Sequence, residues 1–243
     1  MTDDLRRFAA SAGAAQELVN GAGLAALSTI PVAGPFLANA TQSAMTIREN
    51  ARRAEFDRLV IDRLERISAD VAGITPESIM SSDDFAAAYA KASRVASETA
   101  STRKREYLAR AMGQMGPWSE IDVSRKHLLL DLVARYEELH IRLLDYFRDP
   151  ILWIRKGTPQ FHVDGGGIGG VSGPIGTYMF PGVPNWEATV VPALKTLEND
   201  SLASVPWTTM MSTQGIFQSR TTPLGNALLS FIAVSPGETD GDS

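Results

Sequence analysis

Cysteine is absent from the 243-residue chain, and histidine occurs only three times. Without thiols there is no disulfide framework, thiolate metal site or cysteine nucleophile, which excludes zinc fingers and cysteine hydrolases and fits the cytosol. An excess of cations is also missing. Lys and Arg number 23 against 28 Asp and Glu, giving a net charge of -5. A strong non-specific nucleic-acid binder draws most of its affinity from neutralising phosphates, and this chain lacks that footing overall. An uninterrupted apolar run of about 20 residues, which a membrane-spanning helix needs, is lacking too. What is present is ordinary for a globular protein: 44% hydrophobic and 21% charged residues, in a chain long enough to bury a sizeable core.

From Leu18 to Ile47 no charged residue occurs. Pro31, Gly34 and Pro35 interrupt this stretch, and proline removes a backbone donor and clashes with the preceding turn. The expectation is an apolar helical hairpin over about 18–47 that turns at Pro31–Pro35, with Leu24, Leu27, Ile30, Phe36 and Leu37 as its packing or membrane-contacting residues. Ala38-Asn39-Ala40 resembles a cleavage site, but the leader would be too long and carries Asp3 and Asp4 beside Arg6 and Arg7, so a signal peptide is not expected. Two readings stay open. The hairpin is a buried core element, or it engages a membrane conditionally.

The rest of 1–150 reads as a helical domain. Phe56, Val60, Leu64, Ile67 and Val71 recur every three or four residues, so a helix from about Ala44 to Val71 is expected, with Arg48, Arg52, Arg58 and Arg66 on other faces among acidic residues. After Gly73 and Pro76, Ser81 or Ser82 can cap a helix whose apolar side is Phe85, Tyr89, Ala92, Ala96 and Thr99. Arg103, Lys104, Arg105 and Arg110 form a basic patch near its far end. Cations favour a helix C-terminus, and the sharper alternative is a site for an anion or an acidic partner. Ser119-Glu120-Ile121-Asp122 matches a helix-opening pattern, and one long central helix is expected from there to Pro150, with a wide stripe from Leu129 to Phe147.

Catalytic, cofactor-binding and metal-ligating residues are not readable, and a non-enzyme is expected. Glu137 and His140 have Glu-x-x-His spacing, but a di-iron site needs two such pairs and two further carboxylates. His127 and His140 would lie on opposite faces of one helix, and His162 and Asp164 have no third ligand. Gly165, Gly167 and Gly170 spell G-x-G-x-x-G without the following helix or the Gly-Lys-Ser/Thr that would give it meaning. The stretch 151–186 is therefore read as a long glycine-rich loop. Its Phe161, Ile168, Ile175, Tyr178, Met179 and Phe180 argue for a lid or a partner-contact arm, with Tyr178 and Phe180 as candidate contacts.

In 187–235 a helix from Glu187 to Asn199, two short strands (Val205–Met211 and Gly215–Arg220) and a helix opened by Thr222-Pro223 outline a winged-helix-like module. An acidic tail, 236–243, is expected to be disordered. The fold class expected is mainly α, with a small α+β C-terminal region. The charges work against DNA contact by that region. From Ile151 onward, Arg155, Lys156, Lys195 and Arg220 face seven acidic residues.

The IPVAG stretch, the arginine-rich helix, FAAAYAKASRVASETASTRKREYLARAM, HIRLLDYFRDP and TTPLGNALLSFI together resemble a loose group of uncharacterised bacterial helical proteins. Some of these look like companions of phage-defence or stress systems. The glycine-rich insertion departs from that pattern, and no site residue transfers. The resemblance implies a helical protein acting through a protein partner or a second copy of itself, in the cytoplasm or at the periphery of the inner membrane. A membrane is the next partner in rank and nucleic acid the last. A winged-helix regulator and an enzyme with scattered residues are the competing functions.

Overall fold

The computed structural model describes residues 34–70, 75, 78–79, 81–163 and 167–232, with the backbone alone for 34–44 and 70. The expected hairpin residues Leu24, Leu27 and Ile30, and the tail 236–243, lie outside the described residues. The chain is mainly helical, as its periodicity implies. The first helix, α1 (Gly34–Asp70), starts ten residues before the expected boundary and takes Phe36 and Leu37 into its first turn. Pro35 is tolerated there because the first amides of a helix have no intrahelical partner. What reads as a second hairpin arm is thus continuous with the arginine-rich helix. Its Phe56, Val60 and Leu64 are buried as the spacing requires, against α2 (Asp83–Glu98) and α3 (Thr102–Met112).

Two expected helices are each broken in two. The first break lies between α2 and α3, where Thr99 is extended (φ -83°, ψ 138°) and the Ser101 hydroxyl accepts from the Lys104 N–H at 3.1 Å. Arg103, Lys104 and Arg105 are therefore at the start of a helix, and only Arg110 lies in its last turn. The placement of the first three is compensated by bonds to the preceding helix, whose last carbonyls need donors. Arg105 donates to the Thr99 carbonyl (3.1 Å) and Arg52 of α1 to those of Ser97 (3.1 Å) and Glu98 (3.3 Å).

The second break divides the expected central helix into α4 (Val123–Arg135) and α5 (Glu138–Arg148), with Tyr136 and Glu137 both extended. The helix opens at Asp122, whose carboxylate accepts from the amides of Ser124 (2.9 Å) and Arg125 (3.3 Å), and not at Ser119. The wide stripe belongs to two helices with different neighbours. Leu129, Leu132 and Val133 bury α4 toward α2 and α3, while Leu143, Leu144 and Phe147 bury α5 toward α8 (Glu187–Asn199) and α10 (Pro223–Phe231). Pro150 does not end the helical body. Capped by Asp149, it opens α6 (Pro150–Gly157), so the expected loop begins as a helix.

Beyond α6, much of the described part of 151–186 is also structured. A strand, β1 (Ile168–Gly169), leads into a single helical turn, α7 (Ser172–Pro174), and a π turn over Ile175–Met179. Val171, Ile175 and Met179 anchor this segment in the core. β1 pairs antiparallel with β2 (Met211–Ser212), with Ile168 opposite Ser212 and Gly169 opposite Met211. The second strand expected at Gly215–Arg220 is replaced by a helical turn, α9 (Thr213–Ile216). The helix–hairpin–helix outline of a winged helix is thus not what forms, because β2 finds its partner more than forty residues upstream. Of the expected module, α8 and α10 stand. Thr222 caps α10 by accepting from the Gly225 N–H at 3.1 Å. Gly225 itself allows close packing, since a Cβ there would lie 2.2 Å from the Leu202 carbonyl oxygen.

Candidate functional site

The residues singled out by sequence fall in two places. Arg103, Lys104 and Arg105 lie at the α3 N-terminus and Arg110 in its last turn, and only part of the run is accessible. Lys104 is 1% exposed and Arg105 is buried, while Arg103 and Arg110 are half-buried and engaged with neighbours. Arg105 is held by Glu55 (2.8 Å) and by the Thr102 hydroxyl (2.9 Å) in addition to Thr99. An ion pair this enclosed holds α3 against α1 rather than offering a docking charge. The Lys104 amine has no hydrogen-bond partner. Burial lowers its pKa to about 8, opposed by the nearby Glu137 carboxylate. Lys104 and Arg105 are therefore structural, turned inward by the helix break, while Arg103 and Arg110 stay partly accessible.

Glu137 and His140 have a structural explanation as well. Glu137 is the N-cap of α5, and His140 Nδ1 accepts its backbone N–H at 3.3 Å. His140 stacks on Tyr136 with ring centroids 5.2 Å apart. Burial lowers the His140 pKa. The Tyr136 hydroxyl donates to Asp200 at the end of α8, which also receives Arg135 (2.5 Å). The Glu-x-x-His spacing thus serves a helix start, and the neighbouring Arg135 and Tyr136 tie the α4–α5 junction to the end of α8. Among the described residues, no group of three or more His, Asp or Glu could hold a metal ion.

The second place is the segment that contains Tyr178 and Phe180, and it gathers more residues than the sequence suggested. Gly182 (φ +72°) and Asn185 (φ +53°) adopt the left-handed conformation and fold the chain back after the π turn. Trp186 consequently lies over Gly176, where a Cβ would be 3.0 Å from the indole. Phe180 stacks on Trp186 (5.6 Å, 4° between planes) and Trp207 meets it edge-on (6.0 Å). Tyr178 packs against Phe161, which meets Phe217. Tyr178 and Phe180 are accordingly half-buried supports rather than free contacts.

A groove of about 510 Å³ runs along this support, lined by Ser172, Gly173, Gly176, Thr177, Pro181, Gly182, Trp186 and Glu187. Beside it in sequence lies the ribbon. There Thr213 clamps Gly167 by donating from both its amide and its hydroxyl to the Gly167 carbonyl (3.0 Å each). Ile168 is 77% exposed and Met210, next to β2, 64% exposed. The pairing register puts Ile168 and Ser212 on one face, and Met210 directly precedes β2. Trp186, Trp207, Glu187 and Met210 were not legible as a site. The available signal was the density of aromatics and glycines between Tyr178 and Trp207, which also marks ordinary turns.

No family model matches the chain, and neither a curated protein nor a solved structure is similar to it. No helix among the described residues is long and apolar enough to cross a membrane.

Proposed function

We propose that this is a non-enzymatic helical protein that works through protein–protein contact, made by the face formed by the β1–β2 ribbon and the adjoining groove. The observation that supports this most is the ribbon itself. Two large exposed apolar side chains, Ile168 on β1 and Met210 immediately before β2, lie at a short, hydrogen-bonded and clamped strand pair. Exposed apolar groups on an ordered support favour association, because burying them releases water without first ordering a loop. Val183, next in sequence to the groove residue Gly182, is a further exposed apolar side chain. The resemblance to a loose group of uncharacterised bacterial helical proteins, some of which look like companions of phage-defence or stress systems, is what supports assigning the contact to such a response. Engagement of the inner membrane by the apolar stretch 18–47 is a second part of the proposal.

The test is the behaviour of the native complex. Purified under native conditions, the protein is expected to sediment as a complex with a partner or a second copy. The Ile168→Asp/Met210→Asp variant should lose that association while its melting temperature stays within about 2 °C, as for surface changes outside the core. A sedimentation profile unchanged by the double substitution would remove the ribbon from the interface. A strictly monomeric native protein would overturn the reading. The membrane part is separable. Phe36→Asp should abolish flotation with anionic liposomes, and absence of flotation by the wild type would end it.

A further inference from the structure

The chain carries eight methionines and no cysteine. Its thioethers are therefore the only sulfur that an oxidant meets, and access decides which of them reacts. Among the described residues, Met112 is fully buried, and Met115 and Met179 nearly so. Met210 and Met211, adjacent in sequence at the ribbon, stand in opposite conditions. Met210 is exposed. Met211 packs against the core, so close to Gly215 that a Cβ there would lie 3.2 Å from it. The Met211 sulfur also accepts from Arg220 Nη2 at 3.4 Å, and Arg220 is itself held by the Gly215 carbonyl at 2.7 Å. One sulfur of the pair is open to solvent and the other is covered and engaged.

We propose that Met210 is a reversible oxidation site for hydroperoxides, and that its sulfoxide releases the partner from the ribbon; this rests on the protein-contact reading above. The step balances with the peroxide alone. The sulfur lone pair takes up the terminal oxygen as the O–O bond breaks, so the sulfur loses two electrons. The other oxygen leaves with the transferred proton as water or an alcohol. Return consumes two thiol equivalents, which leave as a disulfide and water. The chain has no thiol of its own, so a dithiol reductase supplies them. The thioether is an apolar contact group, and the sulfoxide places a polar oxygen where the partner would have to bury it. The frame stays in place, because the pairing of β1 with β2 and the Thr213 clamp on Gly167 use none of the Met210 side chain.

The experiment uses the full chain and hydrogen peroxide, with sulfoxide at each methionine followed by peptide mass mapping. Met210 is expected to oxidise about tenfold faster than Met211, Met112, Met115 and Met179. After partial oxidation, complexed and free chains are separated and mapped. Met210 sulfoxide should be enriched about tenfold in the free fraction. Sulfoxide at Met45, which is exposed on α1, should be spread evenly between the two fractions. Methionine sulfoxide reductases of both stereospecificities, supplied with a dithiol, should return the free chain to the complex. Met211 oxidising as fast as Met210 would remove the selective site. Even distribution of Met210 sulfoxide between the fractions would overturn the switch, as would dissociation that follows Met45 instead. Those failures leave the ribbon contact standing wherever Ile168→Asp/Met210→Asp still disrupts the complex. An untreated protein that is monomeric overturns the contact reading, and the switch with it.

Discussion

The helices from α1 to α4 and the stretch from α6 to α10 solve the same burial problem by different means. In the first region, long helices present apolar residues at three- and four-residue intervals, and the core is their intersection: Phe56 and Val60 of α1, Phe85 and Ala92 of α2, Leu108 of α3, Leu129 of α4. In the second, most elements are short. They include a π turn, a two-residue strand pair and, among the described residues, every non-glycine residue with positive φ, Asn185 and Ser201. Regular periodicity buries most apolar groups, and those left outside, Met45, Ile61, Val123 and Leu128, lie along α1 and α4. Short elements joined by tight turns leave Ile168, Val183 and Met210 outside on an ordered frame. The candidate contact surface belongs to the second region because Ile168 and Met210, 77% and 64% exposed, lie at the clamped ribbon.

The largest expected effect tests whether the first region carries the stability. Phe56 is fully buried and meets the Tyr89 ring at 6.0 Å, in a layer shared by α1 and α2. Phe56→Ala is expected to cost about 3–5 kcal/mol, the range for truncating a buried aromatic. Chemical denaturation followed by far-ultraviolet circular dichroism measures it. A loss below about 1 kcal/mol would mean that the layer collapses around the cavity and that the regular region is less tightly packed than its burial implies.

A smaller effect of opposite sign concerns Lys104, where the first region departs from its own regularity. Its amine is buried without a partner, and its pKa falls from 10.5 to about 8. Between those values the unfolded chain binds more protons than the folded one, so stability rises with pH from about 8 toward 10.5. Tyr89 works against this at the upper end. Burial and its hydrogen bond to Asp57 raise its pKa from 10 to about 12, so its contribution is lost as pH climbs above 10. The clear window is therefore about pH 8 to 10. Lys104→Met should stabilise the protein at pH 7 by about 2–3 kcal/mol and flatten the rise in that window. A variant less stable than wild type, or one that keeps the alkaline rise, would show that the amine is satisfied in solution.

Helix positions were legible where periodicity was strong, and the breaks were not. Nothing in Leu129 to Phe147 distinguishes one widely apolar helix from two helices with different neighbours. The distinction comes from Tyr136, whose ring is buried against His140 and whose hydroxyl reaches Asp200, a contact between residues far apart in sequence. The basic run was misplaced for a related reason. Ser101 caps the helix through its own hydroxyl, and a serine in an alanine-rich stretch is a weak sign of a helix start. The candidate groove was half legible. Tyr178 and Phe180 marked the right segment, but Trp186 and Glu187 join it only through the left-handed turns at Gly182 and Asn185, and the pairing of β1 with β2 is non-local.

The smallest expected effect addresses the turns of the second region. Helix α8 ends with Asp200 as its C-cap and Ser201 in the left-handed conformation at φ +57°. The Ser201 N–H donates to the Glu198 carbonyl at 2.9 Å and the Leu202 N–H to that of Leu197 at 2.8 Å. This is the doubly bonded helix ending in which glycine is the usual left-handed residue, because it has no Cβ to crowd the carbonyl. The Ser201 backbone also accepts from the Thr222 hydroxyl at 2.6 Å, fixing the chain before α10. Ser201→Gly keeps all three bonds, since each uses the backbone of residue 201 or its neighbours. It relieves the left-handed strain and makes the unfolded chain more flexible, two effects of opposite sign. The balance should be a gain of about 0.5–1 kcal/mol, read as a higher midpoint with an unchanged denaturant slope. A loss of stability would mean that the turn is held by the surrounding contacts at no strain. The short elements of the second region would then be as relaxed as the long helices of the first, and their exposed apolar groups would have to be explained without any cost in backbone geometry.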